Sequence, residues 1–278
     1  MKRQKQRPSR DGLSEQAGYF TVPGAHLYTV LHKVTDPVAR ILLVGSFASE
    51  RHFSYHPWVR WARYLAERRI EVLRYDYRGV GESTGIFEEL SFEDWSEDVQ
   101  LLADWVTARS PSLPLILHGL ELGAILAARC FHEGRGDALL LWSPPANANE
   151  ALRSSLLHWA GLEQLWESPE NRSSASEYIR QLEHGSSIEV HGYQWSSRLW
   201  RDSFHFGLHA SLENQSSSSE AYGKPVKLVR LNKDAAPLVK PHLMYHQVND
   251  LSWLYSTSFD WIANSLALST IGPNERSN

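Results

Sequence analysis

Short apolar runs alternate along the middle of this chain with longer segments whose apolar positions recur every three or four residues. The runs are ILLV at Ile41 to Val44, IEVLRYD at Ile70 to Asp76, LPLILHG at Leu113 to Gly119 and ALLLWSP at Ala138 to Pro144. Each has the length and density of a strand buried on both faces, as in a parallel sheet. Between them, WVRWARYLAERR puts Trp58, Trp61, Ala62 and Leu65 on one helical face, and SFEDWSEDVQLLADWV does the same with Trp95, Val99, Leu102 and Val106. Ser91, with Asp94 three residues on, has the pattern of a capping box and marks the start of that second helix. A third crossover, LGAILAARCFHE, is apolar and rich in small residues, which suits a helix packed centrally on a sheet.

Ahead of this pattern, YFTV, the turn pair Pro23-Gly24 and HLYTVLHKV predict an antiparallel hairpin starting at Tyr19. After Pro145 the rhythm breaks. The stretch to Gly223 reads as helices with one extended piece, Ile188 to Val190, and a Ser-rich run at Ser216 to Ser219 expected to be a flexible loop. Strand character returns at Val226 to Asn232 and weakly at HLMYHQV, before a last helix from Ser256 to Leu268. The expected organisation is a disordered basic tail over 1–17, an α/β core over 18–145 and an inserted helical cap with its Ser-rich loop over 146–223. The rest of the core follows over 224–270, and a tail over 271–278.

Composition narrows the function classes. With 278 residues the chain is long enough for a large core, which excludes a small disulfide-stapled fold. Lys plus Arg number 28 against 32 Asp plus Glu, a net charge of −4, so binding to nucleic acid or acidic membrane by bulk charge is excluded. Cys130 is the only cysteine, so neither an internal disulfide nor a cysteine-based metal site can form, and it reads as a small buried apolar residue. The opening MKRQKQRPSRDG is basic and polar, with no apolar run of signal or membrane-span length after it. A cytoplasmic protein with a solvated tail and no membrane span is expected, and no cofactor or metal site is read from the motifs.

Three places carry chemistry, and their order matters: a Gly-Ser turn at Val44 to Phe47, a glycine-flanked elbow at LHGLELGA, Leu117 to Ala124, and an acid, Asp234, after a late strand. This order resembles the α/β-hydrolase superfamily, as does LRYDYRGVGESTG at Leu73 to Gly85. The resemblance implies a mostly parallel sheet flanked by helices with an inserted helical cap. It also implies an oxyanion hole from the backbone N–H groups of Phe47 and Leu122. Gly79, Gly81 and Ser83 are expected to be turn residues, pinned by Asp76 and Arg78.

The elbow frame Gly-x-Ser-x-Gly falls on Gly119, Glu121 and Gly123, so a carboxylate stands where the superfamily has its nucleophilic serine. A carboxylate cannot perform serine-type acyl transfer, although it can attack an alkyl carbon as the aspartate of haloalkane dehalogenases and epoxide hydrolases does. Asp234 fits the superfamily's acid. Where a base should follow the last strand, QVNDLSW has no histidine, so Asn249 or Asp250 falls at that place, and His242 and His246 lie upstream. At a helix N-terminus the Glu121 anion is stabilised by the elbow's own N–H groups, which fills the anion hole from within.

A narrower resemblance is to the type 2 form of the hydrolase-like proteins encoded beside exosortase A systems in exopolysaccharide-producing Gram-negative bacteria. It rests on GLELGAILAA at Gly119 to Ala128, ALLLWSPP at Ala138 to Pro145, IEVHGYQWSSRL at Ile188 to Leu199 and Leu251-Ser252-Trp253. That branch tends to lose the elbow serine and often has arginine there, so Glu121 departs even from that habit. Most aromatics of the insertion are expected to form the core of the cap, while GYQWSSRL with Trp195, and Trp142 at the mouth of the sheet, are expected to face an acyl or glycan-type ligand or a protein partner, GYQWSSRL as one wall of the pocket. The expected function is a non-hydrolysing accessory binder. The alternative is an active hydrolase on ester or alkyl substrates, with Glu121 as nucleophile or base alongside Asp234 and His246.

Overall fold

The structure, a computed structural model, describes residues 7–8, 13–47, 50–165, 167–208, 218–221, 223–230 and 250–268. The N-terminal strands are β1 (Arg7–Pro8), β2 (Ser14–Val22) and β3 (Ala25–Lys33). The alternating section is β4 (Ala39–Val44), α1 (Arg51–Ala66), β5 (Ile70–Tyr75), α2 (Phe92–Arg109), β6 (Leu115–Leu120), α3 (Leu122–His132) and β7 (Ala138–Trp142). An insertion follows: α4 (Ala148–Glu163), α5 (Ala175–Glu183), β8 (Ile188–Val190), β9 (Tyr193–Trp195) and α6 (Ser197–Asp202). Strands β10 (Ser218–Ala221) and β11 (Lys224–Val229) and helix α7 (Ser252–Ser265) complete the described elements.

Among the described residues, nine strands form one sheet in the order β1-β2-β3-β5-β4-β6-β7-β11-β10. From β5 to β11 the neighbours are parallel, while the hairpin β2–β3, its junction with β5 and the edge strand β10 are antiparallel. Both faces are covered, and strict alternation decides which side chain meets which face. Ile41, Leu43, Ala138, Leu140 and Trp142 face α1 and α7 with Trp58, Trp61, Leu254 and Tyr255. Leu42, Val44, Leu117, Leu139 and Leu141 face α2 and α3, and their cluster continues into the insertion through Leu152, Leu156, Val190, Trp195 and Trp200. The insertion therefore shares a core with the sheet.

Several boundaries differ from expectation for identifiable reasons. Strand β2 takes in Ser14 to Ala17, expected in the disordered tail, because Lys33 to Val30 of β3 lie opposite and supply the ladder. Helix α1 starts at Arg51 and runs through Pro57 rather than opening at Trp58. Ser218 and Ser219, expected in a flexible loop, pair in β10 with Lys227 and Val226. Helix α7 opens at Ser252, earlier than Ser256, with Asp250 Oδ1 accepting from the Ser252 amide at 2.9 Å. The capping box of α2 is formed, the Ser91 amide donating to Asp94 Oδ2 at 2.9 Å.

Two histidines are buried. His118, on β6, is 0% exposed between Trp58, Trp61 and Trp142, with Nδ1 against the Leu140 carbonyl at 2.8 Å. Burial lowers it to about 3. His32 lies under Arg74, whose Nε donates to its Nε2 at 3.1 Å, and burial reinforced by that guanidinium lowers it to about 4. Both native values lie below the unfolded 6.5, so each contributes stability that is present above pH 6.5 and lost as pH falls toward the native value. Asp98 has the opposite sign, since burial raises it to about 6 and its contribution fades as pH rises from 3.8 to 6. Two histidines against one aspartate leave a net loss of about 2 kcal/mol between pH 7 and pH 5. Urea unfolding at the two pH values should show it, whereas equal or greater stability at pH 5 would refute this accounting.

Candidate functional site

Strand β6 ends at Leu120, and Glu121 turns the chain into α3 with φ 52° and ψ −124°. This is a strained conformation for any residue with a Cβ, of the kind concentrated at functional turns. The Glu121 amide donates to the Trp142 carbonyl at 2.8 Å, and its carbonyl accepts from Ala124 at 2.9 Å, so the turn is bonded on both sides. The flanking glycines are sterically required. A Cβ on Gly119 would sit 2.3 Å from the Ala124 Cα, and one on Gly123 would sit 2.0 Å from the Gly45 carbonyl oxygen and 2.5 Å from that of Val44. The first turn of α3 thus rests on the end of β4, where Val44 pairs with Gly119. Glu121, Leu122 and the segment leading to Phe47 meet at the C-terminal edge of the sheet. Glu121 is half-buried and its Oε2 is fully covered.

The segment after β4 is braced from beneath. Tyr77 Oη donates to the Gly45 carbonyl at 2.6 Å, Ser46 Oγ bonds Ser54 Oγ, and the Glu50 amide donates to the Phe47 carbonyl at 2.9 Å. The Phe47 ring is buried against Trp95 at 4.9 Å, Phe87 at 5.8 Å and Trp195 at 6.4 Å. Asp76 and Arg78 pin the following turn as expected. Asp76 Oδ2 accepts from the Glu82 amide at 3.1 Å, and its carbonyl accepts from Ser83 Oγ at 2.6 Å. Arg78 forks onto the buried Asp98 at 2.5 and 3.1 Å. Asp76 also takes two bonds from Arg51, at 2.6 and 3.1 Å.

The insertion closes over this edge. Strands β8 and β9 form a hairpin whose turn residues, His191 and Gly192, both have positive φ, as a type I′ turn requires. Beyond it, Ser196 caps α6 by accepting from Leu199 at 3.2 Å. Tyr193 packs on Phe87 at 4.9 Å, Ser155 of α4 donates to Glu50 Oε1 at 2.7 Å, and Asp202 accepts from the Phe92 amide at 2.8 Å, capping α2.

Of the expected site residues, Glu121, Leu122 and Phe47 are brought to one edge. Trp195 sits beside Phe47 but is 1% exposed, in the shared core rather than on an open wall. Trp142 is corrected. It faces α1 and α7 on the other side of the sheet, 1% exposed, with Nε1 donating to Ser258 Oγ at 3.1 Å, because it shares strand parity with Ala138 and Leu140. Asp234, His246, His242 and Asn249 lie outside the described residues. Asp250 is exposed and accepts from the Ser252 amide at the start of α7. Sequence reading missed Arg51, whose ion pair depends on Asp76 just beyond the end of β5. Among the described residues no group of three His, Cys, Asp or Glu is placed to hold a metal ion, and no helix is long and apolar enough to cross a membrane.

Residues 47–182 match the family model described as Hydrolase_4, serine aminopeptidase, S33. No curated protein matches the chain. Among solved structures it is similar to Est1E from Butyrivibrio proteoclasticus with bound ferulic acid, 15% identical over 90% of this chain and 100% of that one, TM-score 0.61. It is also similar to the α/β hydrolase GrgF from Penicillium sp. sh18, 17% identical over 91% of this chain and 99% of that one, TM-score 0.59. Against a lidless α/β serine hydrolase from Xanthomonas campestris the identity is 25% over 48% of this chain, spanning 62% of that protein, TM-score 0.42.

Proposed function

We propose that this member of the α/β-hydrolase superfamily has abandoned serine hydrolysis and holds an acyl or glycan-type ligand between the sheet and the insertion. It would act as an accessory binder in an exopolysaccharide system of the exosortase-linked kind. One observation carries the reading: Glu121 occupies the strained elbow with the conformation of a nucleophile and none of a serine's chemistry. A carboxylate there has no hydroxyl to deliver to a carbonyl. Its charge also repels the oxyanion that acyl transfer must build. The glycines and the braced Gly45 to Phe47 segment hold that edge in a fixed shape. The competing reading gives Glu121 the role of nucleophile or base, with Asp234 and His246, on ester or alkyl substrates. It draws on the same half-exposed carboxylate.

A fluorophosphonate probe, which reacts with base-activated serines, tests the proposal. The folded protein should remain unlabelled under conditions that label an authentic serine hydrolase completely. Stoichiometric labelling of any serine would overturn the reading by revealing a nucleophile elsewhere.

A further inference from the structure

We propose that Arg51 is the receptor for an oxyanion head group, a carboxylate or phosphate, on the ligand held between sheet and insertion; this rests on the binding reading above. Arg51 opens α1, directly after the braced segment that carries Phe47. Its Nε and Nη2 both bond Asp76 Oδ1, at 3.1 and 2.6 Å, and its guanidinium lies over the Tyr55 ring at 4.9 Å. Asp76 is held in turn by the Glu82 amide, and Gly81 is required because a Cβ there would lie 2.3 Å from Asp76 Oδ2 and 3.2 Å from Arg51 Nη2. One edge of the guanidinium is therefore fixed. Nη1 makes no hydrogen bond among the described residues, and the side chain is 29% exposed against 5% for Asp76.

The residues around Arg51 belong to the seam between sheet and insertion. On one side, Glu50 is tied to Ser155 of α4 at 2.7 Å. On the other, the Tyr193 phenol of the β8–β9 hairpin is half-buried on Phe87 and lies within the fields of Arg51 and Asp76. An arginine oriented by a buried carboxylate and presenting its other N–H groups is suited to a carboxylate or phosphate, which two parallel N–H groups can grip. Asp76, Glu50 and, at the elbow, Glu121 are the anions that oppose a bound head group. Asp76 lies behind the guanidinium and Glu50 is engaged with Ser155, so an oxyanion at Nη1 meets the cation first.

The test is calorimetric titration with octanoate, octyl phosphate and octanol, which share a chain and differ in head group. The wild-type protein should bind at least one anion about tenfold or more tightly than octanol, the scale of a charge-assisted pair, and added salt should shrink that preference. Tighter octanoate assigns a carboxylate and tighter octyl phosphate a phosphate. In Arg51→Gln the preference should vanish while octanol binding stays. If that variant does not fold, Arg51→Gln with Asp76→Asn removes both charges together and should show the same loss. A folded variant that keeps the preference, or a wild type that binds octanol as tightly as both anions, overturns the role of Arg51 and leaves the binding edge standing. Failure of all three probes to bind would overturn both readings.

Discussion

Replacing Gly123 by alanine is expected to destabilise the protein by upward of about 3 kcal/mol, although the same change inside an ordinary helix stabilises by up to about 1 kcal/mol. The reversal follows from one contact. The new Cβ would lie 2.0 Å from the Gly45 carbonyl oxygen and 2.8 Å from Tyr77 Oη. Neither can retreat, since Tyr77 Oη donates to that same carbonyl and both belong to the braced edge. Helix α3 would have to lift off β4 and carry Glu121 with it. Urea unfolding of the alanine variant measures the cost. A stability equal to or above wild type would show that α3 does not sit against β4 as described.

The second large effect lies in the Arg78–Asp98 pair. Asp98 is 0% exposed, and truncating it to alanine leaves the Arg78 guanidinium with only the longer, partly exposed contact to Asp94 at 3.8 Å beneath the turn that positions Asp76. The expected loss is about 3–5 kcal/mol. Replacing both partners together, Arg78→Met with Asp98→Leu, should recover much of it, because an apolar pair of similar volume carries no desolvation penalty. A cycle of the two single variants and the double gives the coupling. Additive losses would mean that each residue is held by its other contacts, such as the Trp95 indole N–H on the Arg78 carbonyl at 3.0 Å.

Much of this architecture was legible from local patterns. The four apolar runs became parallel strands because runs of that density can be buried only between two helical layers. The elbow was legible because its two glycines meet neighbours that any Cβ would strike, and the turn after β5 because Asp76 and Ser83 satisfy backbone groups within a few residues. Properties set across strands were harder to read. The side taken by Trp142 depends on the parity of β7 together with which helices cover each face, and only the first of these is written locally. Strand β10 is polar and forms because β11 offers an open ladder, not because Ser218 or Ser219 favours a strand. Arg51 looks like any surface arginine until Asp76 arrives beside it, and His118 looks like an ordinary strand residue until three tryptophans surround it.

The central claim is that the carboxylate at the elbow replaces catalysis with binding. The most direct test is turnover of p-nitrophenyl acyl esters and short haloalkanes by wild type and Glu121→Gln side by side, with both shown to be folded. The account predicts no turnover above buffer in either protein. Turnover in the wild type that disappears in Glu121→Gln would contradict it and make Glu121 a catalytic residue.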